Sequence, residues 1–215
     1  IYADKSGALW FSDINGLNGY DGKEIVTYAA VSTRITESIR SIAETKDSAL
    51  VLATYGQGVF FFKNKTIIAS FAEKDGLAND ICKRVFVHKD KIYVATAKGL
   101  TTFRYDDGHI WNVRTYNTAN GLASNNVNDV YADDSDICVA TSGGVTVVNE
   151  QAAQRPVAAP PLYITAAHSN DSTLNPATAH QLNHTQNAMH FEYIGISFKS
   201  VDNVRYAYRL NEGRP

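Results

Sequence analysis

Only two of the 215 residues are cysteine, Cys82 and Cys138, too few to build a disulfide framework. Surplus positive charge is missing as well. Twenty Lys and Arg stand against 22 Asp and Glu, a net charge of −2, whereas a nucleic-acid binder normally carries a basic stripe or an excess of Lys and Arg. Nucleic acid is therefore not an expected partner. Long apolar runs are absent too: Val59-Phe60-Phe61-Phe62 is far short of the 18 or more residues, roughly, that a membrane helix takes. The sequence has neither an initiator Met nor a signal-like charged start at Ile1, and it reads as a piece of something longer. What it has is the composition of a soluble globular protein, 44% hydrophobic and 20% charged. At this length roughly 70% of the unfolded surface can be buried without covalent staples.

The chain repeats itself. Ala8-Leu9-Trp10-Phe11-Ser12 leads to Gly16-Leu17, and Leu50-Val51-Leu52-Ala53-Thr54 leads to Gly58-Val59. Ile92-Tyr93-Val94-Ala95-Thr96 then leads to Gly99-Leu100, and Ile137-Cys138-Val139-Ala140-Thr141 to Gly144-Val145. The glycines lie 42, 41 and 45 residues apart. Other landmarks keep the phase. Asp75-Gly76-Leu77-Ala78-Asn79 recurs as Asn120-Gly121-Leu122-Ala123-Ser124, and Tyr28, Phe71 and Tyr116 each close a unit. A further apolar segment precedes three of the strands, at Ile39–Ile42, Cys82–Val85 and Val127–Val130. Residues 37–44 carry apolar positions three apart, as a helix would, but the repeat phase places them on a strand. Four short strands per unit of about 43 residues is the blade of a β-propeller, which buries its faces only by stacking on its neighbours.

The repeat ends near Glu150. Residues 151–161 (QAAQRPVAAPP) read as a stiff Ala/Pro linker. Strand patterns follow at 162–165, 189–198 and 204–210. The expectation is all-β: about four propeller blades over 1–150, the linker, then part of a small β-sandwich over 162–215.

These residues carry a resemblance. The units resemble the two-component regulator propeller repeat, roughly V-x-x-I-x-x-D-x-x-G-x-L-W-I-x-T-x-x-G-L before a tyrosine-ended strand, which Asp4-Lys5-Ser6-Gly7-Ala8-Leu9-Trp10-Phe11-Ser12 fits closely. The Trp of that pattern stands at Trp10, with Leu52, Val94 and Val139 aligned to it in later units. Residues 199–210 (KSVDNVRYAYRL), with FEYIGISF before them, resemble the Tyr-rich, immunoglobulin-like domain that follows such propellers. The resemblance implies the periplasmic, non-catalytic sensor region of a bacterial histidine kinase, in some members a hybrid kinase that detects polysaccharide fragments. It further implies a small-molecule or oligosaccharide ligand, a homodimer in the parent receptor, and a membrane contact made only through a downstream helix. No cofactor or metal is called for.

The repeated glycines supply backbone freedom, and Asp4-x-x-Gly7 is a hairpin turn of the aspartate-box kind. Arg34, Arg40, Arg84, Arg104 and Arg114 do not share one phase, which argues against the convergent arginines of a sialidase-like enzyme. Cys82 and Cys138 fall at different blade positions and read as small hydrophobes of blade cores. His180, His184 and His190 cluster in the second part, and the His180/His184 pair has zinc-ligand spacing if helical, but residues 181–188 are polar and Asn-rich and read as a loop. Propeller function usually sits in the loops at one end of the channel. There the second-to-third-strand turns offer Asn15, Tyr55, Gln57 and Lys98 as ligand contacts. Tyr55 and Gln57 lead, since an aromatic face and an amide suit a sugar. The rival readings are a secreted propeller enzyme acting on glycans and a protein-interaction scaffold with a large apolar face.

Overall fold

The computed structural model describes residues 1–13, 16–28, 34–35, 38–149, 161–170, 172–178, 180–185 and 188–196. Its contacts divide the chain into two compact units, Ile1–Arg155 and Pro156–Pro215. Regular structure in the described residues is β throughout, apart from two single 3₁₀ turns at Glu73–Asp75 and Thr118–Asn120.

The first unit is a row of antiparallel meanders. Blade one comprises β1 (Tyr2–Ala3), β2 (Leu9–Asp13), β3 (Gly16–Tyr20) and β4 (Ile25–Thr27). Blade two follows with β5 (Ile39–Glu44), β6 (Leu50–Thr54), β7 (Val59–Lys63) and β8 (Thr66–Phe71). Blade three holds β9 (Cys82–His88), β10 (Lys91–Thr96), β11 (Gly99–Asp106) and β12 (His109–Tyr116). Blade four has β13 (Val127–Ala132), β14 (Asp136–Thr141) and β15 (Gly144–Asn149). The segment with helix-like spacing is the strand β5. First strands pack on first strands, β5 on β9 and β9 on β13, and so lie nearest the axis.

Local chemistry explains why each unit folds alike. The threonine ending the second strand donates its hydroxyl to the carbonyl of the glycine beyond the turn: Thr54 to Gly58 at 2.8 Å, Thr96 to Gly99 at 2.7 Å, Thr141 to Gly144 at 2.8 Å. The same oxygens accept the turn amides of Gln57, Lys98 and Gly143. Such a hydroxyl replaces the ladder partners that a two- or three-residue turn cannot supply. Glycine is required at two of these corners. Gly58 and Gly99 have φ of 75° and 146°, and a Cβ would come within 2.5 Å of the Phe71 carbonyl and 2.6 Å of that of Tyr116. At the opposite end Asp4 fastens the first hairpin of blade one, accepting from Ser6 and Ala8 amides and, at 2.7 Å, from the Trp10 indole. Burial pushes the Asp4 carboxyl up, but these hydrogen bonds outweigh it and hold it below the usual range.

The first strands of blades two, three and four also carry a β-bulge at one equivalent residue. The register skips Arg40 between Ile39 and Ser41, Lys83 between Cys82 and Arg84, and Asn128 between Val127 and Asp129. Beyond it the strands alternate. Val51, Ala53, Val59 and Phe61 on the front of blade two pack against Val85, Ile92, Val94, Phe103 and Tyr105 on the back of blade three. Tyr93, Ala95 and Leu100 on the front of blade three meet Val130, Ala132, Ile137 and Val139 of blade four. Between blades one and two, Trp10 stacks on Tyr28 with centroids 5.5 Å apart and meets Phe62 edge-on at 5.7 Å. Burying each such large side chain is worth about 1.5–3 kcal/mol.

The register corrects one alignment. Asp13 pairs with Gly16 as Thr96 pairs with Gly99, so Asp13, not Ser12, takes the threonine's place in blade one. Trp10, opposite Gly19, is then equivalent to Val51, Tyr93 and Cys138 rather than to Leu52, Val94 and Val139.

The described residues of the second unit form one antiparallel sheet, ordered β17-β16-β18. It is built from β16 (Leu162–Ser169), β17 (Ser172–Leu174) and β18 (Met189–Gly195). The strand expected at 204–210, the Tyr-rich stretch and linker residues 151–160 lie outside the described residues.

Candidate functional site

The two ends of the blades differ. At one end the second-to-third-strand turns meet the loops between blades, as the strand order requires: Tyr55 bridges Ile81, the Gly56 and Gly58 amides donate to the Asp80 carbonyl, and the Ser142 amide to that of Asn126. Tyr55, Gln57 and Lys98 all lie here, while Asn15 lies outside the described residues. Each is already engaged. The Arg40 guanidinium covers the Tyr55 ring at 4.7 Å, the Gln57 amide donates to the Arg34 carbonyl at 3.3 Å, and Lys98 Nζ lies 3.6 Å from Glu73. The three are thus brought to one end of the unit, each held by its own neighbour.

The opposite end carries what the sequence did not single out. Between blades two and three a groove of about 460 Å³ opens, within the range of ordinary ligand sites. The β5–β6 turn contributes Thr45, Lys46 and Asp47, the β9–β10 turn Lys89 and Asp90, and the outer strands Tyr105, Asp106 and Trp111. Trp111 is half exposed. Tyr105 is buried flat against Phe61, centroids 3.9 Å apart. Its hydroxyl lies beside the Gly108 amide without a well-formed hydrogen bond. Burial above all, with the carboxylates of Asp47, Asp107 and Asp106, pushes the Tyr105 phenol up, so it stays a neutral donor.

Charges around the groove are mostly spoken for. Lys63 holds Asp47 at 2.9 Å, Arg104 pairs with Asp90, and Lys89 with Asp134. Burial raises the Asp47 carboxyl, yet hydrogen bonds from Thr45 and Lys63 leave it lowered overall. An aromatic face ringed by hydroxyl and carboxylate groups suits a ligand with an apolar ring face and a hydroxylated rim. The arginines do not converge: Arg40 stands at the Tyr55 end of its blade and Arg104 beside Asp90 at the other. Among the described residues no group of three or more His, Cys, Asp or Glu is placed to hold a metal ion.

No family model and no curated protein matches this sequence. Solved structures do. The extracellular domain of BT4673 from B. thetaiotaomicron, assigned to a hybrid two component system, is similar over 90% of this chain and 27% of that one, with a TM-score of 0.54 and 19% identity. The likeness is one of fold. PorZ, a surface component of the type-IX secretion system of Porphyromonas gingivalis, is similar over 69% of this chain and 25% of that one, at a TM-score of 0.53 and 15% identity. This chain spans about a quarter of the length of either. Extracellular regions of two-component systems are thus among the proteins whose fold it shares.

Proposed function

We propose that the chain is a non-catalytic, extracytoplasmic ligand-sensing segment of a two-component sensor, periplasmic in its parent. Its first unit would bind an oligosaccharide and its second would pass the change toward a membrane-anchored histidine kinase. The groove carrying Trp111, Tyr105 and Asp106 is the observation that carries this reading, and the shared fold supports the sensor class. The turn residues Tyr55, Gln57 and Lys98 provide a second set of contacts at the other end. Signalling through a homodimer requires that the ligand favour one dimer geometry over another.

The test is calorimetric titration of oligosaccharide fragments into the complete ectodomain, with Trp111→Ala and Tyr55→Ala compared. Loss of binding in Trp111→Ala alone places the ligand in the groove, and loss in Tyr55→Ala alone places it at the turns. Affinity unchanged in both variants overturns both positions. Turnover of the glycan would make the protein an enzyme and overturn the sensor reading.

A further inference from the structure

His180 and His190, ten residues apart in the sequence, have different partners in the fold. His180 Nε2 sits 3.1 Å from the Thr178 hydroxyl and 2.8 Å from the Asn175 carbonyl. His190 stands instead directly across from His168, its partner in the pairing of β16 with β18. Directly opposed residues project from the same side of a sheet, and the two imidazole centroids lie 6.2 Å apart with planes inclined by 37°. An ion held by two imidazoles at metal–nitrogen distances of about 2.0–2.1 Å keeps their centroids no more than about 6.4 Å apart. The observed 6.2 Å lies at the wide end of that span, so the rings must close by about 1 Å to meet an ion at the tetrahedral angle.

A third residue supports the arrangement. Thr173, on the neighbouring strand β17, places its hydroxyl 3.3 Å from Nδ1 of His168. With Nδ1–H donating to that hydroxyl, such an outer partner fixes the orientation of a metal-binding imidazole and leaves Nε2 as the ligating atom. Glu192 lies two residues beyond His190 on β18, hence on the same side, and adds negative charge there. We propose that His168 and His190 form a two-imidazole site for a late first-row divalent transition metal, with water completing the coordination. Copper(II) binds most tightly in that series. The bound ion clips β16 to β18. The site belongs to the second unit and does not depend on what the propeller blades bind.

Titration of the untagged chain with copper(II) in a non-chelating buffer tests this, read by calorimetry and by electron paramagnetic resonance. The expected result is one tight equivalent whose spectrum shows coupling to two imidazole nitrogens. His168→Asn and His190→Asn each abolish it, and His180→Asn and His184→Asn leave it intact. Thr173→Val weakens it about tenfold, as loss of an outer-shell partner does. In the unaltered protein the NMR signals of the His168 and His190 rings broaden before those of His180, which guards against a variant that misfolds. A tight equivalent that survives His168→Asn and His190→Asn, or the absence of any tight equivalent, overturns the proposal.

Discussion

Blades three and four have nearly the same strand chemistry and opposite surroundings. On the front of blade three Tyr93, Ala95 and Leu100 are 0–1% exposed beneath the next blade. The equivalent front of blade four carries Tyr131, Val145 and Val147, exposed by 59%, 72% and 61%. The corner glycines differ through their own blades: a Cβ on Gly99 would collide with the Tyr116 carbonyl of β12 in the same blade, whereas at Gly144, in a blade of three described strands, it would meet no described atom within 4 Å. What differs is the cover and not the strand: burial in a propeller is conferred by the neighbour, so the stabilisation of any one blade lies largely in its interfaces.

Thiol reactivity offers the sharpest contrast. Cys82 is buried between blades, and burial, followed by the nearby Asp80, pushes its thiol up to about 12. Cys138 is only half-buried on the open front of blade four. Under native conditions an aromatic disulfide reagent should consume one thiol promptly. The second should wait for unfolding, a separation on the order of a thousandfold or more for a domain of ordinary stability. Two thiols reacting at similar rates would break the comparison.

Packing comes next. Phe103 is fully buried, 4.8 Å from Phe71 and 6.4 Å from Phe61 by ring centroids. Phe103→Ala should cost about 3–5 kcal/mol in urea unfolding. Lys91 sharpens the point within blade three, since its ammonium is buried over the Tyr93 ring. Burial first, then Arg114 and Arg104, lowers it to about 8. At Lys91 the unfolded chain therefore binds more protons between about pH 8 and 10.5, so this group adds stability as pH rises, against the opposite slope that the raised Cys82 thiol and Tyr93 phenol give above about pH 9. The expected gain is on the order of 2 kcal/mol, and it should vanish in Lys91→Met. Parallel pH profiles for the unaltered protein and Lys91→Met would remove the buried charge from the comparison. Smallest of all, Val147→Thr on the open front of blade four should change stability by no more than about 0.5 kcal/mol. A loss as large as that of Phe103→Ala would mean that this face is covered in solution.

Much of the architecture was legible because each blade repeats its own turn chemistry. The glycine spacings and the strand-ending threonines located three of the four hairpins, and the 3₁₀ turns fell on the recurring Gly-Leu pairs at Gly76 and Gly121. The slip at Trp10 arose because Asp13 replaces threonine in blade one, leaving Ser12 as the deceptive match. The groove was not legible at all. Its walls come from Asp47, Asp90 and Trp111, which share no motif and meet only when two blades stack. The pairing of His190 with His168 was not legible for the same kind of reason: cross-strand register, not spacing along the chain, sets them side by side. Tyr55, Gln57 and Lys98 were placed at one end correctly, but the neighbours that hold them could not be read from periodicity.

The bulges of the first strands give this fold an adjustable element. Arg40, Lys83 and Asn128 sit where the ladder skips a residue, so none of the three is paired across to the second strand, and none need resemble the others. One carries a guanidinium, one an ammonium and one an amide, with the blade beneath unaltered. Charge and shape near the axis can therefore differ from blade to blade, and neighbouring bulges are read together where they touch, as Lys83 Nζ does in donating to the Asn128 side-chain oxygen at 2.8 Å.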